Sequence, residues 1–224
     1  MQRIESLPLF PLSDVVLLPQ VSIPLYVFEP RYRQMTRDAL EASHQIGMVT
    51  VHPDGLADMA GDPPVFPIGC LGRIEQSQER PDGTFQILLV GVSRFAIVHE
   101  HARSNGRLYR SARVDLLADE SPEDIETDER LDRQRTELLD LLEQLVHGLE
   151  TDGAHERVVA AFERLEPTRL INSLTQSIAF LPVERQRLLE ANSVVGRFEI
   201  MADLLRFRLA EVAAGASGST EFRN

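Results

Sequence analysis

Four prolines fall inside one apolar run. In FPLSDVVLLPQVSIPLYVFEPRYRQM, residues 10–35, Pro11, Pro19, Pro24 and Pro30 interrupt a stretch dominated by Val, Leu, Ile and Phe. Proline lacks an N–H and clashes with the preceding helical turn, so neither an amphipathic helix nor a membrane span tolerates that spacing. Short strands do tolerate it, because a proline at a strand end or edge costs no ladder hydrogen bond and bends the chain. Pro30 has a different place. It suits the first position of a helix, where the missing N–H is an orphan anyway, and Tyr32, Met35, Ala39 and Leu40 follow at helical spacing.

Short extended segments continue to about residue 118. Apolar runs at 4–10, 14–18, 21–28, 46–52, 65–74, 84–92, 94–99 and 108–117 are separated by Pro-Asp-Gly, Gly-Asp-Pro-Pro, Pro-Asp-Gly and Ser-Asn-Gly turns. Within them, RIEQSQERPDGTFQILLVGV predicts a hairpin closing on Asp82-Gly83. The period then changes. Ser121-Pro122-Glu123-Asp124 reads as a capped helix start, and Leu131, Leu138, Leu142, Leu145 and Leu149 make an apolar stripe after it. Further helices are predicted at about 154–164, 168–180, 183–191 and 194–213, the last with Val194, Phe198, Met201, Leu205, Leu209 and Val212 on one face. The predicted fold is α+β. A β-rich domain over 1–118 carries one helix, a helical bundle covers 119–214 after the hinge ADESPED, and the tail 215–224 has no periodicity and is expected to be disordered.

Composition removes several function classes. All 23 basic residues are Arg, so no residue of this chain can act as a lysine general base, a Schiff-base amine or a phosphate-loop ammonium. The single Cys70 excludes an intrachain disulfide and reads as a small buried hydrophobe. The net charge of −12 is local: residues 1–118 hold 13 acids and 11 Arg, whereas residues 119–150 hold 12 acids and 3 Arg. That strip is a solvated helix face or, more sharply, a docking strip for a basic partner, and the lack of a basic stripe argues against nucleic acid. GxxxxGK[ST], HExxH, GxSxG and GxGxxG motifs are all missing from the sequence. His99 and His101 stand two apart without a third ligand in view, so no metal and no cofactor is expected. Glu29, Arg31 and Arg33 beside Tyr32 read as an ion pair and aromatic anchor at a strand-to-helix corner. The N-terminus lacks a secretory pattern and no segment approaches the ~20 apolar residues of a span, so a cytoplasmic chain with no membrane partner is expected.

The motifs also carry a family likeness. LPLFPLSDVVLLPQVSIPLYVFEPRYRQM resembles the opening of the Lon protease N-terminal (substrate-binding) domain family, where an LPLFPL-type strand and a V-L-x-P turn lead to P-L-x-[IV]-F-E-x-R-Y. The similarity continues in order through PIGCLGRIEQ, PDGTFQILLVGVSRFAI and YRSARVDLLAD, and more weakly through AFLPVERQRLLEANSVVGRFEIMADLL, covering most of residues 4–212. It implies a PUA-like β pseudo-barrel followed by a helical bundle, used to capture unfolded or tagged polypeptides. The motif positions Glu29, Arg31, Tyr32, Gly69, Gly91 and Arg94 are assigned structural roles. Proteolysis is not implied, because the ATPase and protease modules of a full Lon protease need a phosphate-loop lysine and a serine–lysine dyad, and this chain has no lysine. Gly72 in GCLGRI departs from the alanine common in the family, and a strand glycine predicts a bulge or a close backbone approach.

The functional expectation is a non-enzymatic, adaptor-like polypeptide-binding module for protein clients, with a protease or chaperone as a further partner. Its groove, expected between barrel and bundle, would use Leu25, Tyr26, Phe28, Phe85 and Phe95. The alternatives are an RNA-binding module, since PUA-like folds elsewhere bind RNA, and a hydrolase built on a serine or Cys70.

Overall fold

The computed structural model describes residues 2–59, 61–103, 106–118, 125–147 and 162–218. In chain order the elements are β1 (Arg3–Leu12), β2 (Ser22–Val27), α1 (Pro30–Glu41), β3 (Gln45–Thr50), a 3₁₀ turn (Pro53–Asp58), β4 (Ile68–Glu79), β5 (Phe85–Glu100), β6 (Arg110–Leu117), α2 (Ile125–His147), α3 (Pro167–Ser177), α4 (Pro182–Glu190) and α5 (Val194–Gly218). The expected hinge at 119–124, its serine cap, and residues 154–161 of the predicted helix lie outside the described residues. So do residues 219–224 of the predicted tail, whereas 215–218 continue α5.

Five strands close on themselves. β1 runs parallel to β3 and antiparallel to β6, β3 pairs with β4, β4 with β5, and β5 returns to β6. β2 stays outside this ring and pairs only with the first part of β5, from Ser22 opposite Val90 to Val27 opposite Phe85. Successive side chains of a strand point to opposite faces, so β1, β3 and β4 divide theirs between two cores. Leu7, Leu9, Val49, Leu71, Phe95 and Val114 fill the barrel. Phe10, Ile46, Met48, Cys70 and Ile74 face the other way and meet Tyr32, Met35 and Ala39 of α1.

Three of the four prolines sit as the spacing requires, whereas Pro19 lies in a turn outside any strand. Pro30 is in the first turn of α1, Pro24 lies in the edge strand β2, and Pro11 lies where β1 has β3 on one side only. Two expectations are corrected. Residues 14–18 form no strand, although Val16, Leu17 and Leu18 are buried; they are an apolar connection packed into the core, where burial comes without ladder pairing. The runs 84–92 and 94–99 are one strand, because an irregularity between Leu71 and Gly72 lets β5 absorb an extra residue without ending.

That irregularity is where β4 and β5 bend. Gly72 faces Gly91 across it. A Cβ on Gly72 would sit 2.6 Å from Leu89 Cγ, and one on Gly91 would strike the carbonyl oxygen of Leu18. Of the bulge or close backbone approach expected at Gly72, the irregularity is present, and what closes on the glycine is the buried Leu89 side chain rather than backbone.

The described residues fall into two compact units, one within Met1–Ala118 and Gln176–Glu190, the other within Asp119–Thr175 and Ala191–Asn224. Residues 176–190, expected in the bundle, are thus grouped with the β-rich unit. The reason is polar as well as apolar: Thr50 Oγ1 donates to Gln186 Oε1 at 2.7 Å, Gln186 Nε2 donates to the Ile68 carbonyl at 3.0 Å, and Leu189 joins the core. Arg94, 2% exposed, donates from its guanidinium to the carbonyls of Leu189, Glu190 and Ala118 at 3.2, 3.5 and 3.4 Å. Those carbonyls include the C-terminal end of α4, which has no intrahelical donors left. In the second unit α2 and α5 are joined by Arg130–Glu199 and Arg206–Glu137 ion pairs. Leu138, Leu142, Phe198, Met201 and Leu205 are buried there, and Arg197 donates to Asn172 Oδ1 at 3.2 Å with both residues fully buried.

Candidate functional site

Beyond the Gly72–Gly91 bend, the first half of β5, the end of β4 and β2 form a three-stranded ribbon. One face carries Ile23, Val27, Ile74, Phe85, Ile87 and Leu89, all buried in the core shared with α1. By alternation the opposite face carries two cross-strand rows. Pro24 and Gln76 both lie opposite Leu88, and Tyr26 and Gln78 both lie opposite Gln86. This face encloses a shallow hollow of about 530 Å³, within the size range of small-ligand and peptide pockets.

Two aromatic rings stand at its margin. Tyr26 is 50% exposed and Phe28 60% exposed, and their rings stack with centroids 6.0 Å apart. The Arg80 guanidinium lies 5.6 Å from the Tyr26 ring centroid, a cation–π contact on the same platform. Large exposed aromatics cost solvation unless something covers them, and clustered ones mark interaction surfaces. The glutamine amides beside them present both donors and acceptors, as a peptide backbone needs.

The proposed groove residues separate into two groups. Tyr26 and Phe28 are exposed and stacked, whereas Leu25 reaches the lining of the hollow but is half-buried and packs against the core shared with α1. Phe85 and Phe95 are buried at 2% and 0% exposure, Phe85 in the core with α1 and Phe95 inside the barrel, so neither reaches a ligand. Sequence reasoning missed Gln76, Gln78, Gln86, Leu88 and Arg80. The period-two pattern of EQSQE in a hairpin was an available signal for the glutamines. The continuous run ILLV hid Leu88.

The motif residues hold the frame. Arg31 pairs with Glu29 at 3.0 Å, donates to the Met59 and Gly61 carbonyls at 2.7 and 3.1 Å, and lies over the Tyr32 ring. Tyr32 packs on Phe10 and burial raises its phenol pKa, so it anchors the β2–α1 corner through its ring. Gly69 leaves room for the Phe95 ring.

Other chemistry-bearing groups are placed as follows. Cys70 is fully buried, and burial pushes its thiol pKa up, which disfavours the nucleophilic thiolate. Tyr109 is pushed up to about 12, first by burial and then by its hydrogen bond to Asp38 Oδ2 at 2.8 Å. His99 and His101 meet edge to face, and the His101 ring pairs through Nε2 with the Glu5 carbonyl at 2.7 Å. Among the described residues no group of three His, Cys, Asp or Glu could hold a metal ion, and no helix is long and apolar enough to cross a membrane.

The family model of the ATP-dependent protease La (LON) substrate-binding domain matches residues 6–206. The chain belongs to this family. Relatives include Lon protease 2 of Desulfotalea psychrophila, 27% identical over 92% of this chain, and Lon protease 1 of Bacillus subtilis, 26% identical over 90%. The chain spans only 26% and 25% of those relatives' lengths. Among solved structures, a Lon N-terminal domain protein from Xanthomonas campestris aligns over 88% of this chain and 96% of its own, with 25% identity and a TM-score of 0.57. The N-terminal domain of Mycobacterium avium complex Lon protease aligns over 90% of this chain and 98% of its own, with a TM-score of 0.66 at 18% identity, a likeness of fold. The mixed α+β architecture, a six-stranded sheet with helices following, is the one these domains share.

Proposed function

We propose that this chain is a non-enzymatic polypeptide-binding module and that the ribbon face of β2, β4 and β5 is where it takes an extended client. The observation that carries this reading is the stacked, half-exposed pair Tyr26 and Phe28 beside the hollow floored by Gln86 and Leu88. Aromatic anchors supply apolar area at low entropy cost, and the glutamine amides satisfy the main chain of a segment that lies along them. The family description as a substrate-binding domain supports the same role. An adaptor-like module of this kind hands its client to a protease or chaperone.

The test is fluorescence anisotropy of a labelled, permanently unfolded polypeptide titrated with the full chain, beside a folded control and a labelled RNA. Saturable binding of the unfolded polypeptide is expected, with a loss of at least about tenfold in Tyr26→Asp and Phe28→Asp variants. Equal binding by wild type and both variants would remove the site.

A further inference from the structure

We propose that the client segment carries an acidic side chain next to its aromatic or aliphatic anchor, and that Arg80, with Arg33 at the same turn, receives that carboxylate. This rests on the reading of the ribbon face as a polypeptide site. The charges around the hollow are mostly consumed locally. Arg73 pairs with Glu75 at 3.0 Å, Arg37 with Glu79 at 2.8 Å, and Arg31 with Glu29 at 3.0 Å. The turn carboxylate of Asp82 accepts from Thr84 N at 3.0 Å and Thr84 Oγ1 at 2.7 Å. Arg33 and Arg80 both lie close enough to lower the Asp82 pKa, after the Thr84 hydrogen bonds, yet neither makes an ion pair with it or with any other described residue.

The tip of the ribbon therefore holds two guanidinium groups against one carboxylate already in use, in a chain whose net charge is −12. Arg80 is exposed with its guanidinium 5.6 Å from the Tyr26 ring centroid, while Arg33 lies against Gly83 of the β4–β5 turn. A guanidinium that meets a ring through a cation–π contact and has no ion-pair partner keeps its donors available for a carboxylate. An apolar side chain seated by Tyr26 and Phe28 places its sequence neighbour at this fork. Nucleic acid fits less well: two cations give little counterion release, and the remaining charge repels a polyanion.

The experiment uses the full chain and two C-terminally amidated peptides that differ only in having Asp or Asn beside a central Phe. The Asp peptide is expected to bind about fivefold tighter, the scale of an exposed charge pair. That preference should vanish in Arg80→Gln, persist in Arg80→Lys, shrink in Arg33→Gln, and fall with added salt. Equal binding of the two peptides, both weakened by Phe28→Ala, would overturn the acidic preference and leave the polypeptide site standing. Binding of neither peptide nor an unfolded polypeptide would overturn both. Preference for the Asn peptide once its C-terminus is free would assign the carboxylate to the chain terminus and overturn the side-chain assignment. Displacement of both peptides by oligouridylate, with RNA affinity alone lost in Arg80→Gln, would also overturn it.

Discussion

The two halves of β5 pair with the same strand, β4, and end in different surroundings. From Arg94 to Glu100 the other neighbour is β6, and at its start adjacent residues Arg94 and Phe95 are both buried, so both faces of the sheet are covered there, whereas Val98 and His99 further along are exposed. From Phe85 to Val90 the other neighbour is β2, and burial alternates: Phe85, Ile87 and Leu89 are buried, whereas Gln86 is exposed and Leu88 and Val90 are half-buried. In the barrel half, the face bearing Phe95 looks onto Leu7, Leu9 and Val114. In the ribbon half, the corresponding face is the hollow. One strand thus serves as a wall of the core and as the floor of a binding surface, and the Gly72–Gly91 bend divides the two uses.

Substitutions at three places test that contrast. The largest effect is expected at Arg94, in the covered half, where Arg94→Ala strands the carbonyls at the end of α4 and opens a cavity. Urea unfolding should show a loss of roughly 3 kcal/mol, and a loss near zero would mean that the covering of this half does not depend on it. Gly72→Ala, at the bend itself, forces Leu89 to move and should cost about 1–3 kcal/mol. Adding Leu89→Val should return part of that loss, and strict additivity would show that the clash is not the cause. The smallest stability effect is expected on the open half. The double variant Tyr26→Ala with Phe28→Ala should stay within about 0.5 kcal/mol of wild type while polypeptide binding falls, and a large destabilisation would return these rings to the core.

Much of the frame was legible locally. The Pro30 helix start, the Asp82-Gly83 hairpin and the Glu29–Arg31 pair at the corner each depend on residues close together in sequence, where backbone chemistry leaves few choices. Leu25, Tyr26, Phe28, Phe85 and Phe95 are all apolar or aromatic residues suited to a groove, but chemistry alone does not separate Phe28 from Phe95. One follows directly on an edge strand, and the other lies where two distant strands close a barrel. Likewise, residues 14–18 have strand composition without a ladder partner, and α4 has helical spacing but takes its partners from Thr50 and Ile68, more than a hundred residues earlier.

Local pattern sufficed for the change from extended to helical period, for the places of Pro11, Pro24 and Pro30, and for the exclusion of lysine chemistry from this chain. Tertiary structure alone decided which face of the β4–β5 hairpin is sealed and which is open. Exposure of a strand residue depends on what stands across the sheet from it, and here that is set by β1–β3, β1–β6 and β5–β6 pairings between segments far apart in the chain, which no local pattern encodes.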